Sequence, residues 1–540
     1  METARRTTEA PRTVGAGQPT PLITILTPVY DPPAAALRSA VESVRSQDFD
    51  AWQLVLVDDC SPSPHVAALL RELAASDPRI VVHRRTENGG IVAASNDALE
   101  RATGEFVALL DHDDMLATGA LAAIAEALAD EPDVDYLYTD EDKVSDEGDF
   151  YDAFVKPEWS PERLLGQMYT GHLSVLRTSL VREIGGFEVG ADGSQDHDLV
   201  LRVTEKARKI VHLPGIYYHW RAIDGSTAQD GEAKPYAWDA GVRAVQRSLD
   251  RQGIRGRARR GPQPGTYRIA RELDPSVKVS IVIPTRGGTA LVWGETRCLV
   301  VELVRSIVSL SEHENLELVI VYDEPTPEPV LAELREIAGD RATFVLFDEP
   351  FNFSAKCNVG YLASSGDVVV FMNDDMQLVS PNFAAELAAP LFEKGVGATG
   401  ARLLFSDGSL QHGGHVYAAG DLTHAGFKGP GDDEGPFRAY LVNRECSGLT
   451  AACIAVTRAT FEDVGGFNEG LPGNFNDVDF SYKIGSRGLR LLWMVDVTLY
   501  HFESLTRDST VHQWEYDTIM RRWGTRDLDP YLPVGYRAEL

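Results

Sequence analysis

"ALLDHDDMLATGAL", Ala108 to Leu121, decides how this chain is read. The apolar run Phe106–Leu110 ends in a knot of polar side chains, Asp111, His112, Asp113 and Asp114, and the chain then turns apolar again. "VFMNDDMQLVSPNF", Val370 to Phe383, has the same shape. Aligned without gaps, Asp113 falls on Asp375, Leu116 on Leu378, Thr118 on Ser380 and Leu121 on Phe383. A buried strand that ends in carboxylates, twice, predicts two similar sheets with polar sites at their strand ends.

The flanking sequence supports this. "PLITILTPVY" (21–30), "WQLVLVDD" (52–59), "RIVVHR" (79–84) and "EFVALLD" (105–111) read as strands, separated by stretches with apolar residues at helical spacing. The pattern restarts with "VKVSIVIPT" (277–285), "LELVIVYD" (316–323) and "ATFVLFDE" (342–349). Near-continuous apolar strands alternating with helices imply an α/β fold, a mostly parallel sheet covered on both faces. Gly104 matches Gly366, Asn96 matches Asn358, and Asp59 matches Asp323. "REIGGFE" (182–188) answers "EDVGGFN" (462–468), "SQDHDLVLR" (194–202) answers "FNDVDFSYK" (475–483), and "IYYHW" (216–220) answers "TLYHF" (498–502). Correspondences kept in one order define an internal duplication, too long in period for a solenoid.

Bulk properties narrow the functional classes. The 540 residues allow several domains, and 44% hydrophobic with 24% charged residues is ordinary globular composition. A net charge of −30 argues against a nucleic-acid binder, whose affinity comes from Lys and Arg on phosphates. The basic stretch "RQGIRGRARR" (251–260) reads as a solvated linker, with contact to anionic lipid as the sharper reading. Five cysteines without CxxC or metal-finger spacing suit a reduced, cytosolic compartment. Residues 1–20 have no apolar core of a signal peptide and read as a disordered tail; no apolar run is long enough to span a bilayer. The expected layout is a tail (1–20), a first domain (21–250), a basic linker (251–275) and a second domain (276–540).

Ligands of open α/β sheets bind at the carboxyl ends of strands, where Asp58, Asp59, Asp111, Asp113, Asp323, Asp374 and Asp375 fall. A lone Asp-x-Asp is most often a turn or a helix start. Recurring in register at two strand ends, it points to oxygen ligands for one hard divalent cation that would bind phosphate. Tyr-His follows the Asp of "QDHD" or "NDVD" by 23 residues in one half (Asp196 to His219) and 24 in the other (Asp477 to His501). The repeated spacing makes His219 and His501 candidate third ligands. Asp196 and Asp477 could each take a proton from an attacking hydroxyl, whereas Asp198 and Asp479 face elsewhere and serve structure.

Together these segments resemble glycosyltransferase family 2, the inverting GT-A transferases, and look most like bacterial tandem proteins that build O-antigen, rhamnan or other surface polysaccharides. "TPVYDPPAAALRSAVESVRSQDFDAWQLVLVDDCS", "ENGGIVAASNDALERATGEFVALLDHDD" and "GSQDHDLVLR" carry the likeness in the first copy. "EPFNFSAKCNVGYLASSGDVVVFMNDD", "FNDVDF" and "LYHFES" carry it in the second. The resemblance implies two tandem GT-A domains. It implies that Thr27, Pro28, Asp58, Asp59 and Asn96 hold a nucleotide-sugar, UDP- or dTDP-linked, together with Asp111. Asp111 and Asp113, with His219, would hold Mg²⁺ or Mn²⁺, and Asp196 would be the base. In the second copy Pro284, Thr285, Asp323, Asn358, Asn373 and Asp374 match the donor positions, Asp375 and His501 the metal, and Asp477 the base. The implied acceptor is a glycan, lipid-linked, met in the cytoplasm with at most peripheral contact at the inner face of the membrane.

The second copy departs from the first. Asn373 stands for Asp111, Tyr322 for Asp58, and "RGGTALVWGETRC" (286–298) lengthens the loop after its first strand. Those changes leave two expectations open: a second site of different specificity, or a degenerate copy that binds acceptor. A sugar-nucleotide pyrophosphorylase is disfavoured, because "TPVYDPP" is no Gly-rich, Arg-containing phosphate loop.

Overall fold

The computed structural model describes residues 21–145, 147–221, 235–503 and 510–533. The expected tail, 1–20, lies outside them. The chain divides into two compact units. One comprises the described residues up to Phe154 and from Thr170 to Arg221; the other comprises Val155–Tyr169 and the described residues from 235 onward.

The first unit is built on a nine-stranded sheet. Its main path runs Ile80–Arg84, Trp52–Asp58, Ile23–Val29, Phe106–Leu109, Ser174–Arg177, Val134–Val144, Lys209–Arg221, Met115–Leu116. The first four strands pair in parallel, Ser174–Arg177 pairs antiparallel to both its neighbours, and Val134–Val144 pairs in parallel with Lys209–Arg221. Strands such as ITILTPV are buried along nearly their whole length, as a sheet with helices on both faces requires. Ile25, Leu54, Ala108 and Val175 form its core with Leu37, Val41 and Ile124 of the helices.

The second unit repeats that order strand for strand. Its ten-stranded sheet runs Ala342–Phe347, Leu316–Asp323, Val279–Thr285, Val368–Met372, Cys453–Thr457, Val396–Leu404, Arg490–His501, Met376–Leu378. The α/β class and the tandem of mostly parallel sheets are therefore borne out, and the duplication reaches the level of single residues. Ile23 pairs with Phe106 as Val279 pairs with Val368. A Cβ on Gly104 would lie 2.7 Å from the Thr24 nitrogen, and one on Gly366 would lie 2.7 Å from the Ser280 nitrogen, so each position demands glycine by close approach.

The expected linker is a correction. Helix Pro235–Gln252 is followed by an antiparallel hairpin, Gly256–Arg260 with Tyr267–Arg271, inside the second unit. Alternation explains it: Tyr267, Ile269 and Arg271 are buried, and Arg271 donates to both Glu162 oxygens at 2.9 and 2.7 Å. A run of arginines that looks uniformly solvated thus supplies one strand of a packed ribbon, and the Val155–Tyr169 segment belongs with it. Among the described residues no helix is long and apolar enough to cross a membrane.

Candidate active sites

In both units the chain order reverses on either side of the first strand, which opens a crevice at the strand carboxyl ends. The candidate residues gather there, and each unit is described separately.

In the first unit Asp111 and Asp113 sit on the turn after Phe106–Leu109. His112 Nδ1 lies 3.1 Å from the Pro28 carbonyl oxygen and ties that turn to the end of the first strand. Thr27 Oγ1 is buried with no hydrogen-bond partner among the described residues. Asp114 is an anchor: its carboxylate accepts from the Tyr218 hydroxyl at 2.6 Å and the Arg221 amide at 2.8 Å. Burial pushes Asp113 up, with the charge of Asp111 adding to it while His112 and Arg221 oppose. Asp196, on helix Gln195–Thr204, is pushed up to about 6 by burial and by Asp111, with His172 opposing. Asp111, Asp196 and His172 therefore share one site, and His172 stacks on Tyr218 with ring centroids 4.6 Å apart. Asp198 is bonded to Arg202 at 2.7 Å, as its structural reading expects.

Asp58 accepts from the Ser61 amide at 2.8 Å and meets Arg84 at 3.2 Å. Asp59 accepts from Arg85 at 2.6 Å and from the Gly89 and Gly90 amides at 2.9 and 2.8 Å. Both thus hold the loops around the crevice. Asn96 corrects the expectation of a donor contact. Its amide donates to the Phe187 carbonyl and accepts from the Phe187 amide, both at 2.9 Å, so it clasps the "GGF" turn. Asn358 does the same to Phe467, at 3.1 and 3.0 Å.

In the second unit a cavity of about 530 Å³ is lined by Thr285, Asp374, Asp375, Asp477 and His501, among others. Thr285 Oγ1 donates to Asp374 at 2.6 Å. Burial and then the charge of Asp375 push Asp374 up to about 6. Lys356, 2% exposed, donates to Asp323 at 2.7 Å and to the Thr285 carbonyl at 2.9 Å. His501 Nε2 lies 3.1 Å from Asp375 Oδ1 and 3.4 Å from the Asn373 amide nitrogen. Its Nδ1 is 2.6 Å from Gln411 Oε1, and Gln411 donates in turn to Glu503 at 2.9 Å. An Nδ1–H donated to Gln411 leaves the Nε2 lone pair facing Asp375, the tautomer a metal ligand needs. Asp477 Oδ1 accepts from the Val478 amide at 2.9 Å at the start of helix Asn476–Gly485. Asp479 meets Trp523 and Arg522 instead, at 2.8 and 3.2 Å.

The two Tyr-His pairs are not equivalent, which withdraws the argument that spacing made for His219. Leu116 pairs with Tyr218, whereas Leu378 pairs with Leu499. Tyr218 and Leu499 are the core-facing residues, so Trp220, not His219, stands in the register position of His501. A slip of one residue turns a side chain to the opposite face. His219 accordingly bonds Asp142 through Nδ1 at 2.6 Å and packs against Phe150.

His172, Lys356 and Gln411 escape a sequence reading, as do three clustered histidines, His412, His415 and His424. Lys356 has a signal, the one charge in the helix "FSAKCNVGYLA"; so has "QHGGH" (411–415). The long loop after Thr285 folds into a hairpin, Thr289–Val292 with Glu295–Cys298. Its Trp293 packs edge-on against Tyr500 and Phe502, the residues flanking His501.

The model of the family described as "Glycosyl transferase family 2" matches the chain twice, over residues 24–185 and 280–458. The chain belongs to this family. It is 38% identical over 525 residues to the uncharacterized protein y4gI of Sinorhizobium fredii, covering 94% of this chain and 57% of that relative. It is 33% identical over 532 residues to the O-antigen biosynthesis protein RfbC of Myxococcus xanthus, covering 97% of this chain and 41% of that relative. The chain thus spans about half the length of these curated relatives. Among solved structures, residues 1–349 of TarS from S. aureus in complex with UDP-GlcNAc match at 21% identity and a TM-score of 0.35, covering 42% of this chain and 66% of that one.

Proposed function

We propose that this chain adds sugars from nucleotide-sugar donors to a growing bacterial surface glycan, at two sites of different specificity, each by single displacement with inversion. The observation that carries the reading is the second-unit cavity, where Thr285, Asp375 with His501, and Asp477 line one space. The first unit offers the parallel grouping of Asp111, Asp113 and Asp196. A UDP- or dTDP-sugar donor, a lipid-linked acceptor and work in the cytoplasm at the inner face of the membrane belong to the same proposal. The O-antigen name of the Myxococcus relative supports the polysaccharide part.

The residues present fit a divalent cation. Asp375 Oδ1 and His501 Nε2 converge at 3.1 Å, and in the first unit Asp111 and Asp113 share the turn after Phe106–Leu109. Mg²⁺ or Mn²⁺ bound there would neutralise the leaving diphosphate. Asp196 and Asp477 accept the proton of the attacking hydroxyl, which drives its oxygen onto the anomeric carbon from the face opposite the diphosphate. A cation there would oppose the desolvation that raises the Asp113 and Asp374 carboxyls.

The test is a pair of knockouts, Asp196→Asn and Asp477→Asn, assayed on a synthetic acceptor with a panel of UDP-, dTDP- and GDP-sugars. Mass and linkage analysis should show each variant stalled at a different intermediate. Wild-type product at the wild-type rate from Asp477→Asn would make the second unit a binding module instead.

A further inference from the structure

The second unit carries a histidine cluster that the transfer chemistry does not use. His412 ends strand Leu410–His412, while His415 and His424 are directly opposed across the hairpin His415–Ala418 with Asp421–His424. One nitrogen from each ring can be chosen so that all three lie within 4.8 Å of one another. The rings meet edge to face, with centroids 4.7 to 5.1 Å apart. His412 and His415 are 0% and 4% exposed.

We propose that His412, His415 and His424 hold one divalent transition-metal ion of the zinc class, distinct from any ion at Asp375 and His501. Three imidazoles with no thiolate or carboxylate in the set select borderline ions such as Zn²⁺ over Mg²⁺, which prefers oxygen. Nitrogens about 2.0–2.1 Å from one tetrahedral ion stand about 3.3 Å apart. That lies between the 2.7 Å separating His412 Nδ1 from His424 Nδ1 and the 4.8 Å within which the set falls, a mismatch that small side-chain rotations close. The surroundings are those of a held ligand. The Tyr417 hydroxyl is 3.0 Å from His415 Nδ1, which orients the ring and leaves Nε2 for the ion. His415 Nε2 in turn lies 3.9 Å from Asp477 Oδ2, so the fourth position opens toward the cavity where the acceptor would enter. Three protein ligands with one open position is the arrangement of zinc sites that touch substrate or water. The competing account is a hydrogen-bonded knot, since His412 Nδ1 and His424 Nδ1 stand 2.7 Å apart. In the first unit the strand paired with Val134–Val144, Phe150–Phe154, carries no histidine, so the proposal predicts one such ion per chain.

The experiment is equilibrium dialysis of the full chain, stripped with chelator, against Zn²⁺ in a large excess of Mg²⁺, followed by metal analysis. The expected result is one tightly held equivalent of zinc, retained by Asp375→Asn and lost from His415→Ala/His424→Ala. His412→Ala should weaken it by about tenfold or more. Circular dichroism checks that the variants are folded, and the visible spectrum of the Co²⁺-loaded wild type, which needs no variant, should report nitrogen ligands in a four-coordinate site. Absence of a zinc equivalent in the wild type overturns the proposal and leaves the hydrogen-bonded knot. Loss of the equivalent in Asp375→Asn with retention in the histidine variants also overturns it, because the ion then belongs to the donor site. Metal retention is read without sugar transfer, so its failure and that of the proposed activity are separable.

Discussion

The first and second units share a strand order and differ around the carboxyl ends of their strands. At the end of the second strand, Asp59 in the first unit is held by Arg85 and by loop amides, whereas Asp323 in the second is held by a buried lysine from the helix Phe353–Ala363. On the last long strand, the first unit turns Tyr218 into the core and sends His219 to Asp142. The second turns Leu499 into the core and delivers His501 to Asp375. The second unit also carries the Trp293 hairpin and the histidine hairpin. Duplication thus preserved the scaffold, which packing constrains, while loop insertions and a one-residue change of register rebuilt the rim, where side chains answer to ligands.

The comparison can be broken in measurable ways. The largest expected effect is on stability. Lys356→Met leaves Asp323 charged in a nearly buried pocket with, among the described residues, only the Arg286 cation at 3.4 Å to pair with it, and should cost about 3 kcal/mol. Denaturant unfolding checks this, and Lys356→Met/Asp323→Leu should recover most of the loss. Failure of the double variant to recover would mean that Lys356 acts by packing and not by charge.

Next come the two histidines. His501→Ala should lower transfer by the second unit by about a hundredfold, as the loss of a ligand to the catalytic ion would. His219→Ala should leave first-unit turnover within a few-fold of wild type, because its ring faces Asp142 and Phe150. Equal losses in both variants would restore the equivalence that the strand register denies.

The asparagine clasps should then behave alike in both units. Asn96→Ala and Asn358→Ala each leave the amide and carbonyl of a "GGF" turn without partners, at a cost of about 2 kcal/mol. Thermal unfolding should move while donor affinity, measured by calorimetry, stays put. A selective loss of donor binding would return both residues to the nucleotide site.

The smallest effect is a pH limb. Asp196 must be ionised to accept a proton, and burial followed by Asp111 raises its carboxyl to about 6. Turnover by the first unit, read as kcat/KM on limiting donor, should therefore fall about tenfold for each pH unit below about 6 and level off above it. The sign follows from the base being the deprotonated form; a rate that rises on acidification would remove Asp196 from that role.

Much of this was legible in the sequence, and for a local reason. Apolar strands, the turns that end them and the carboxylates placed there lie within a few residues of one another, so composition and spacing determined the α/β class, the duplication and the positions of Asp111, Asp113, Asp375, Asp196 and Asp477. What tertiary structure decided depends on partners far apart in the chain. The face that His219 or His501 presents is fixed by ladder pairing with a strand more than a hundred residues earlier, and a slip of one residue reverses it without changing the Tyr-His motif. The Lys356–Asp323 pair and the Asn96 and Asn358 clasps have the same character. Each is a contact that exists because two elements are packed together, and no local pattern of residue types encodes which side chains such packing will oppose.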